Sequence, residues 1–197
     1  MLSGCMFAQM AAPQAVTATD EIVGFLRGGG HVLVMRHASS PRWSPDNANA
    51  HPDNVNRERQ LDAVGEATSR AMGEALRELG VPIRETLTSP AFRALQTVRY
   101  LGFEDARLAE ELGDGGNSMQ PGSDAKRSAW LRARVAEPPA RGTNTLLVTH
   151  SPNLDGAFGD DAAGMEEGEV LIFRPRNGDA VVVGRIKIAE WPALAQH

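Results

Sequence analysis

Val32-Leu33-Val34-Met35-Arg36-His37 is the stretch that decides the fold. Its continuous apolar run reads as a strand over His31 to Met35, buried on both faces as in a parallel sheet. The run ends in a cation and an imidazole. In open α/β sheets, ligands bind at the carboxyl ends of such strands. A second strand candidate, Glu85–Ser89, leads through the turn-like Ser89-Pro90 to Arg93, and a third, Leu146-Leu147-Val148-Thr149, ends in His150. Three strand ends thus offer two arginines and two histidines. That set suits a doubly charged anion with a nucleophile beside it, and so phosphate-ester chemistry.

Helical patterns separate these strands. Thr19-Asp20 caps a short helix over Glu21–Arg27, and Gly28-Gly29-Gly30 ends it. No strand precedes that triple glycine and no Gly-Lys-Ser/Thr follows it, so it is a helix stop, not a phosphate loop. Leu61 to Leu79 is the strongest helix, with Leu61, Val64, Thr68, Met72, Ala75, Leu76 and Leu79 expected on its buried face. Further helices are expected over Ala91–Leu101, Asp124–Ala136 and Pro152–Phe158, with an acidic linker over Arg107–Leu112. Val170–Phe173 and Val181–Ile188 form a closing pair of strands, and Asn177-Gly178 between them favours a hairpin turn. Ser39 to Gln60 is rich in Ser, Pro, Asn and Asp and has no periodicity, as in a loop that shapes a site. The alternation predicts an α/β fold: three layers, α/β/α, around a mostly parallel mixed central sheet.

With 197 residues the chain can form one domain and bury about 70% of its extended surface. An apolar content of 42% and a formal charge of -5 fit a globular protein and argue against a nucleic-acid binder. A local cluster of arginines can still focus an anion within an acidic protein. Cys5 is the only cysteine, which rules out an internal disulfide and a cysteine-based metal cluster. No stretch approaches the roughly 18 apolar residues of a transmembrane helix. Leu2-Ser3-Gly4-Cys5 resembles a lipoprotein lipobox, so residues 1–17 read either as a flexible segment or as the remnant of an export signal, ahead of a single domain over 18–197. The chain is cytoplasmic as written, and periplasmic or lipid-anchored if residues 1–15 end an export signal. Its oligomeric state is open.

His37 is the expected nucleophile. An imidazole can attack phosphorus and divide one displacement into two easier ones, provided its reactive nitrogen is unprotonated. His31, His51 and His197 sit at spacings unrelated to metal ligation, so neither a metal nor another cofactor is expected. Planar guanidinium groups suit the equatorial phosphoryl oxygens. His150, if protonated, adds a third positive donor.

Several motifs in order carry a resemblance. Val34-Met35-Arg36-His37-Ala38 matches the Leu/Val-x-Arg-His-Gly/Ala pattern of the histidine phosphatase superfamily, the phosphoglycerate-mutase-like group. Leu61-Asp62-Ala63-Val64-Gly65-Glu66-Ala67-Thr68-Ser69 resembles its Leu-x-x-x-Gly-x-x-x-Ala helix, with Ser69 in place of the last alanine. Ser89-Pro90-Ala91-Phe92-Arg93-Ala94-Leu95-Gln96-Thr97 reproduces Ser-Pro-x-x-Arg-Ala-x-x-Thr. Thr149-His150-Ser151-Pro152-Asn153 matches Thr/Gly-His-x-x-Asn. The resemblance runs from about residue 30 to 190.

It implies a phosphoglycerate-mutase-like fold and a small single-domain phosphatase, with His37 as the phosphorylated nucleophile. Arg36, Arg93 and His150 would line the phosphate pocket, His150 also counting among the catalytic residues, and Ser40 would help hold phosphate. Leu108-Ala109-Glu110 matches the segment that supplies the general acid, with the adjacent Glu111 as the alternative. That carboxyl would protonate the leaving oxygen and then deprotonate water. The implied reaction is metal-independent hydrolysis of a small phosphorylated metabolite. Alanine at 38, as in the small protein-phosphohistidine phosphatases, keeps that activity as an alternative. A binding protein for phospho-ligands without turnover is the reading from another class.

Overall fold

The computed structural model describes residues 18–41, 59–114 and 123–196. The expectations for residues 1–17 and for most of the 39–60 loop lie outside them. Six strands make one sheet: β1 (Val32–Arg36), β2 (Ile83–Thr88), β3 (Arg107–Leu108), β4 (Asn144–Thr149), β5 (Val170–Arg176) and β6 (Asp179–Ile186), in the order β3-β2-β4-β1-β5-β6. The first four are parallel, and β5 and β6 add an antiparallel hairpin beside β1. Asn177 and Gly178 both take left-handed backbone angles, φ 52° and 82°, as a two-residue hairpin turn requires.

Helices α1 (Ala18–Gly28), α2 (Ala63–Glu78), α3 (Phe92–Leu101) and α6 (Trp191–Leu194) cover one face of the sheet. Helices α4 (Ser123–Val135) and α5 (Ser151–Phe158) cover the other. Strand alternation explains how one apolar run serves both layers. Leu33 and Met35 join Leu26, Met72, Leu76 and Val98, while Val32 and Val34 join Leu131, Leu147 and Leu154. These four β1 residues are fully buried. Each such side chain contributes on the order of 1.5–3 kcal/mol through removal from water. The expected α/β/α architecture is therefore present.

Three details differ from the sequence reading. Leu61, Met72, Ala75, Leu76 and Leu79 are buried as expected, but Val64 is 62% exposed and so lies off the buried face of α2. Its buried stripe runs through Gly65, Ser69, Met72, Gly73 and Leu76. Small residues win because backbones approach there: a Cβ on Gly65 would lie 2.2 Å from the Ser39 carbonyl oxygen, and one on Gly73 2.2 Å from that of Leu101. The acidic linker contains the short edge strand β3 and a single 3-10 turn, Glu110–Leu112. Helix α6 has no counterpart among the expected helices, and its Trp191 is fully buried in the core.

Candidate active site

The sheet register brings the marked residues together. Arg36 lies opposite Thr149, and Thr88 opposite Val148, so β1, β4 and β2 end level with one another. Beyond the strands the backbone keeps that alignment: the His37 N–H donates to the Thr149 carbonyl at 2.9 Å, and the Ser89 N–H to that of Val148 at 3.0 Å. His37 and His150 consequently sit side by side, with ring centroids 5.1 Å apart. Both are about 2% exposed.

His37 is set up with one ring nitrogen tied and the other open to attack. Nδ1 lies 2.8 Å from the Ala38 carbonyl oxygen, which can only accept, so Nδ1 carries the proton. Nε2 is then the lone-pair nitrogen. The Arg93 Nε–H donates to it at 3.3 Å, and an Arg59 Nη2 lies 3.5 Å away. The His37 pKa is lowered well below 6.5, first by burial and then by electrostatic interaction with His150 and with the Arg93 and Arg59 guanidinium groups. A neutral imidazole is what nucleophilic attack requires.

The arginines come from separate elements. Arg93 stands in the first turn of α3 and is 4% exposed. Its guanidinium touches His37 on one side and pairs with Asp114 on the other. Arg36 donates through Nη1 to the Met165 carbonyl at 2.7 Å, while Nη2 lies 3.5 Å from Glu167 Oε1. Arg59 donates through Nε to Ser40 Oγ at 3.0 Å and lies 3.6 Å from the same Glu167 oxygen. Glu167 also accepts from the Ser40 N–H at 3.3 Å. Arg36 Nε and His150 Nδ1 are buried with no hydrogen-bond partner among the described residues. A buried guanidinium N–H and a buried ring nitrogen without partners, among arginines, suit an anion with several oxygens.

Two residues quoted only as motif letters hold this floor in place. Thr97 Oγ1 accepts from the Ala38 N–H at 3.1 Å and donates to the Arg93 carbonyl at 2.8 Å, linking the loop after His37 to the helix of Arg93. Asn153 Nδ2 donates to the Gly113 carbonyl at 2.7 Å and to Thr149 Oγ1 at 2.9 Å. That fastens the acidic turn to β4.

Arg36, His37, Arg93, His150 and Ser40 thus converge. Glu110 does not join them: its side chain is exposed and, among the described residues, makes no hydrogen bond or ion pair with any of the five. Glu111 is half-buried and likewise supplies only its carbonyl, to Asn153 at 3.4 Å. Sequence reasoning misses three residues of the constellation. Arg59 stands two residues before Leu61 of the α2 motif, a position that could have drawn attention. Asp114 and Glu167 carry no local signal, because only the fold places them against arginines. Burial and the fields of Arg93, Arg59, Arg36 and Arg127 lower the His150 pKa well below 6.5, which disfavours the protonated form in which it would add a third positive donor. Among the described residues no three His, Cys, Asp or Glu side chains are grouped to hold a metal ion.

The chain has the phosphoglycerate-mutase-like fold, which it shares with several solved phosphatases. The protein histidine phosphatase SixA in complex with tungstate superposes with a TM-score of 0.58 at 22% identity, over 81% of this chain and 98% of that one. A phosphoserine phosphatase from Entamoeba histolytica, in complex with phosphoserine, gives 0.56 at 12% identity over 80% and 97%. A mycobacterial glucosyl-3-phosphoglycerate phosphatase gives 0.53 at 15% identity over 78% and 97%. In sequence, an uncharacterized protein of Picosynechococcus sp. is 34% identical over 101 residues, 49% of this chain and 56% of that protein. The match therefore spans about half the length of this curated relative. No family model matches the chain.

Proposed function

We propose that this protein is a metal-independent phosphatase that hydrolyses small phosphomonoesters through a phosphohistidine on His37. The observation that carries the reading is the state of that ring. Its Nδ1–H is tied to the Ala38 carbonyl, and its Nε2 lone pair faces the arginines. Nε2 attacks phosphorus while the bond from phosphorus to the leaving oxygen breaks. Arg36, Arg59, Arg93 and His150 take the phosphoryl oxygens, with Ser40 beside them. Glu110, protonated, gives its proton to the leaving oxygen. As a carboxylate it then removes one from water, whose oxygen displaces His37 and releases phosphate. For this step the Glu110 side chain must turn inward from its exposed position. An aryl phosphate incubated in excess chelator should still release phosphate. Turnover lost in chelator and restored by a divalent cation would end the metal-independent reading.

The exposed position of Glu110 also supports a second reading, a protein-phosphohistidine phosphatase. A phosphoramidate leaves as a ring nitrogen and needs less help from a carboxylic acid than an alkoxide does. Alanine at 38 agrees with it, and SixA is by name such an enzyme. Rates on a phosphohistidine-bearing protein beside those on small phosphate esters separate the two readings.

A further inference from the structure

We propose that Ser89 locks His150 as the neutral Nδ1–H tautomer and so makes its buried N–H a hydrogen-bond donor to the phosphoryl group. The inference rests on the phosphate-pocket reading above and adds Ser89 as a positioning residue. Ser89 is fully buried where β2 gives way to α3. Its Oγ accepts the Ala91 N–H at 3.1 Å and lies 2.8 Å from His150 Nε2. A serine hydroxyl has one proton and two lone pairs. Ala91 takes one lone pair, and among the described residues His150 Nε2 is the partner able to accept the proton. The hydroxyl therefore donates, Nε2 accepts, and the ring proton resides on Nδ1.

The opposite assignment leaves more groups unsatisfied. Were Nε2–H to donate to Ser89, the hydroxyl proton would have no acceptor. Nδ1, buried without a partner among the described residues, would then present a lone pair that repels phosphoryl oxygens. A doubly protonated ring would set another positive charge among Arg36, Arg59, Arg93 and Arg127, against the depressed pKa of this group. With the proposed tautomer a single donor stays open, and an anion satisfies it. The two histidines then share one tautomer and use opposite ends. His37 ties its Nδ1–H to the protein and turns a lone pair to phosphorus; His150 ties its Nε2 lone pair and turns an N–H to oxygen.

The test is the tautomer itself, read from the nitrogen-15 shifts of the imidazoles in the full chain without ligand at neutral pH. A protonated Nδ1 and an unprotonated Nε2 on His150 are expected. The reverse pattern, or an imidazolium, would overturn the proposal even if the enzyme turns over. Inorganic phosphate should then shift the Nδ1–H proton while Nε2 keeps its unprotonated signature. If the tautomer is as stated but phosphate leaves the Nδ1–H unmoved, the donor role fails together with the pocket reading, and the lock alone survives. Ser89→Ala should give a mixed tautomer and weaken phosphate by about two- to tenfold, because only the Nδ1–H fraction binds. Unchanged shifts in a folded Ser89→Ala protein would remove Ser89 from the mechanism.

Discussion

The floor of the site and its rim are built on different principles. On the floor, His37, Arg93, Ser89 and His150 are nearly inaccessible and follow directly on strand ends or the first turn of a helix, held by backbone hydrogen bonds that continue the sheet. On the rim, Arg59, Glu110, Asp114 and Glu167 come from loops and a single 3-10 turn and are partly exposed. The floor carries both histidines and Arg93, and the rim carries the acids together with Arg59. Glu167 and Asp114 already occupy arginine donors that a phosphoryl group would use. The difference separates two tasks. Capturing and attacking phosphorus depends on a rigid arrangement, and accommodating the leaving group depends on side chains that can yield.

That division can be broken at its strongest point first. His37→Ala should reduce turnover about 10⁴-fold or more, since no other described side chain offers the same lone pair. Phosphate affinity, measured by competition or calorimetry, should be largely retained because the arginines stay. Loss of binding together with turnover would mean that floor and nucleophile are not separable. Glu110→Gln, a change on the rim, should slow alkyl phosphates by about 10²–10⁴ and aryl phosphates much less, because aryl leaving groups depart without full protonation. Equal small losses on both substrate types would remove Glu110 as the acid and favour the phosphohistidine reading. A large loss in Glu111→Gln instead would move the acid by one residue.

Acid should destabilise the protein through the two histidines of the floor. Folded-state pKa values of His37 and His150 lie well below the 6.5 of an exposed imidazole. As pH falls through 6.5 the unfolded chain binds protons that the folded one does not. The stability that both rings contribute is complete above pH 6.5 and is lost on descending toward their folded pKa values. Denaturant midpoints measured from pH 8 to 5 should therefore drop below about 6.5, whereas the limb of kcat/KM that reports the nucleophile should lie lower still. The smallest effect is expected at Glu167→Gln. Removing the charge that faces Arg36, Arg59 and Ser40 should tighten inorganic phosphate a few-fold, in line with about 0.5–1 kcal/mol for a partly exposed ion pair. Weaker binding would show that Glu167 orients the arginines more than it competes for them.

The floor is legible in the sequence because its signals are local. A buried strand announces itself as Val32-Leu33-Val34-Met35, and the polar residues that follow it must lie at the strand end. Arg36, His37, Arg93 and His150 all stand out for that reason. On α2 the apolar pattern misplaces one position for an equally physical reason. Val64 is apolar, but contact with Ser39 and Leu101 requires residues without bulk, and Gly65 and Gly73 give no apolar signal.

By itself the sequence determined the α/β alternation, the strands and the residues at their ends, since burial on both faces of a parallel strand leaves a continuous apolar run. Tertiary structure decided what those residues meet. It put Arg59, Asp114 and Glu167 against the site from distant loops, and it turned Glu110 outward. It also enclosed His150 among arginines, which lowers its pKa, and brought Ser89 Oγ to its ring, 61 positions away along the chain. Such effects depend on distances and on exclusion of water, and no local pattern of residues encodes either one.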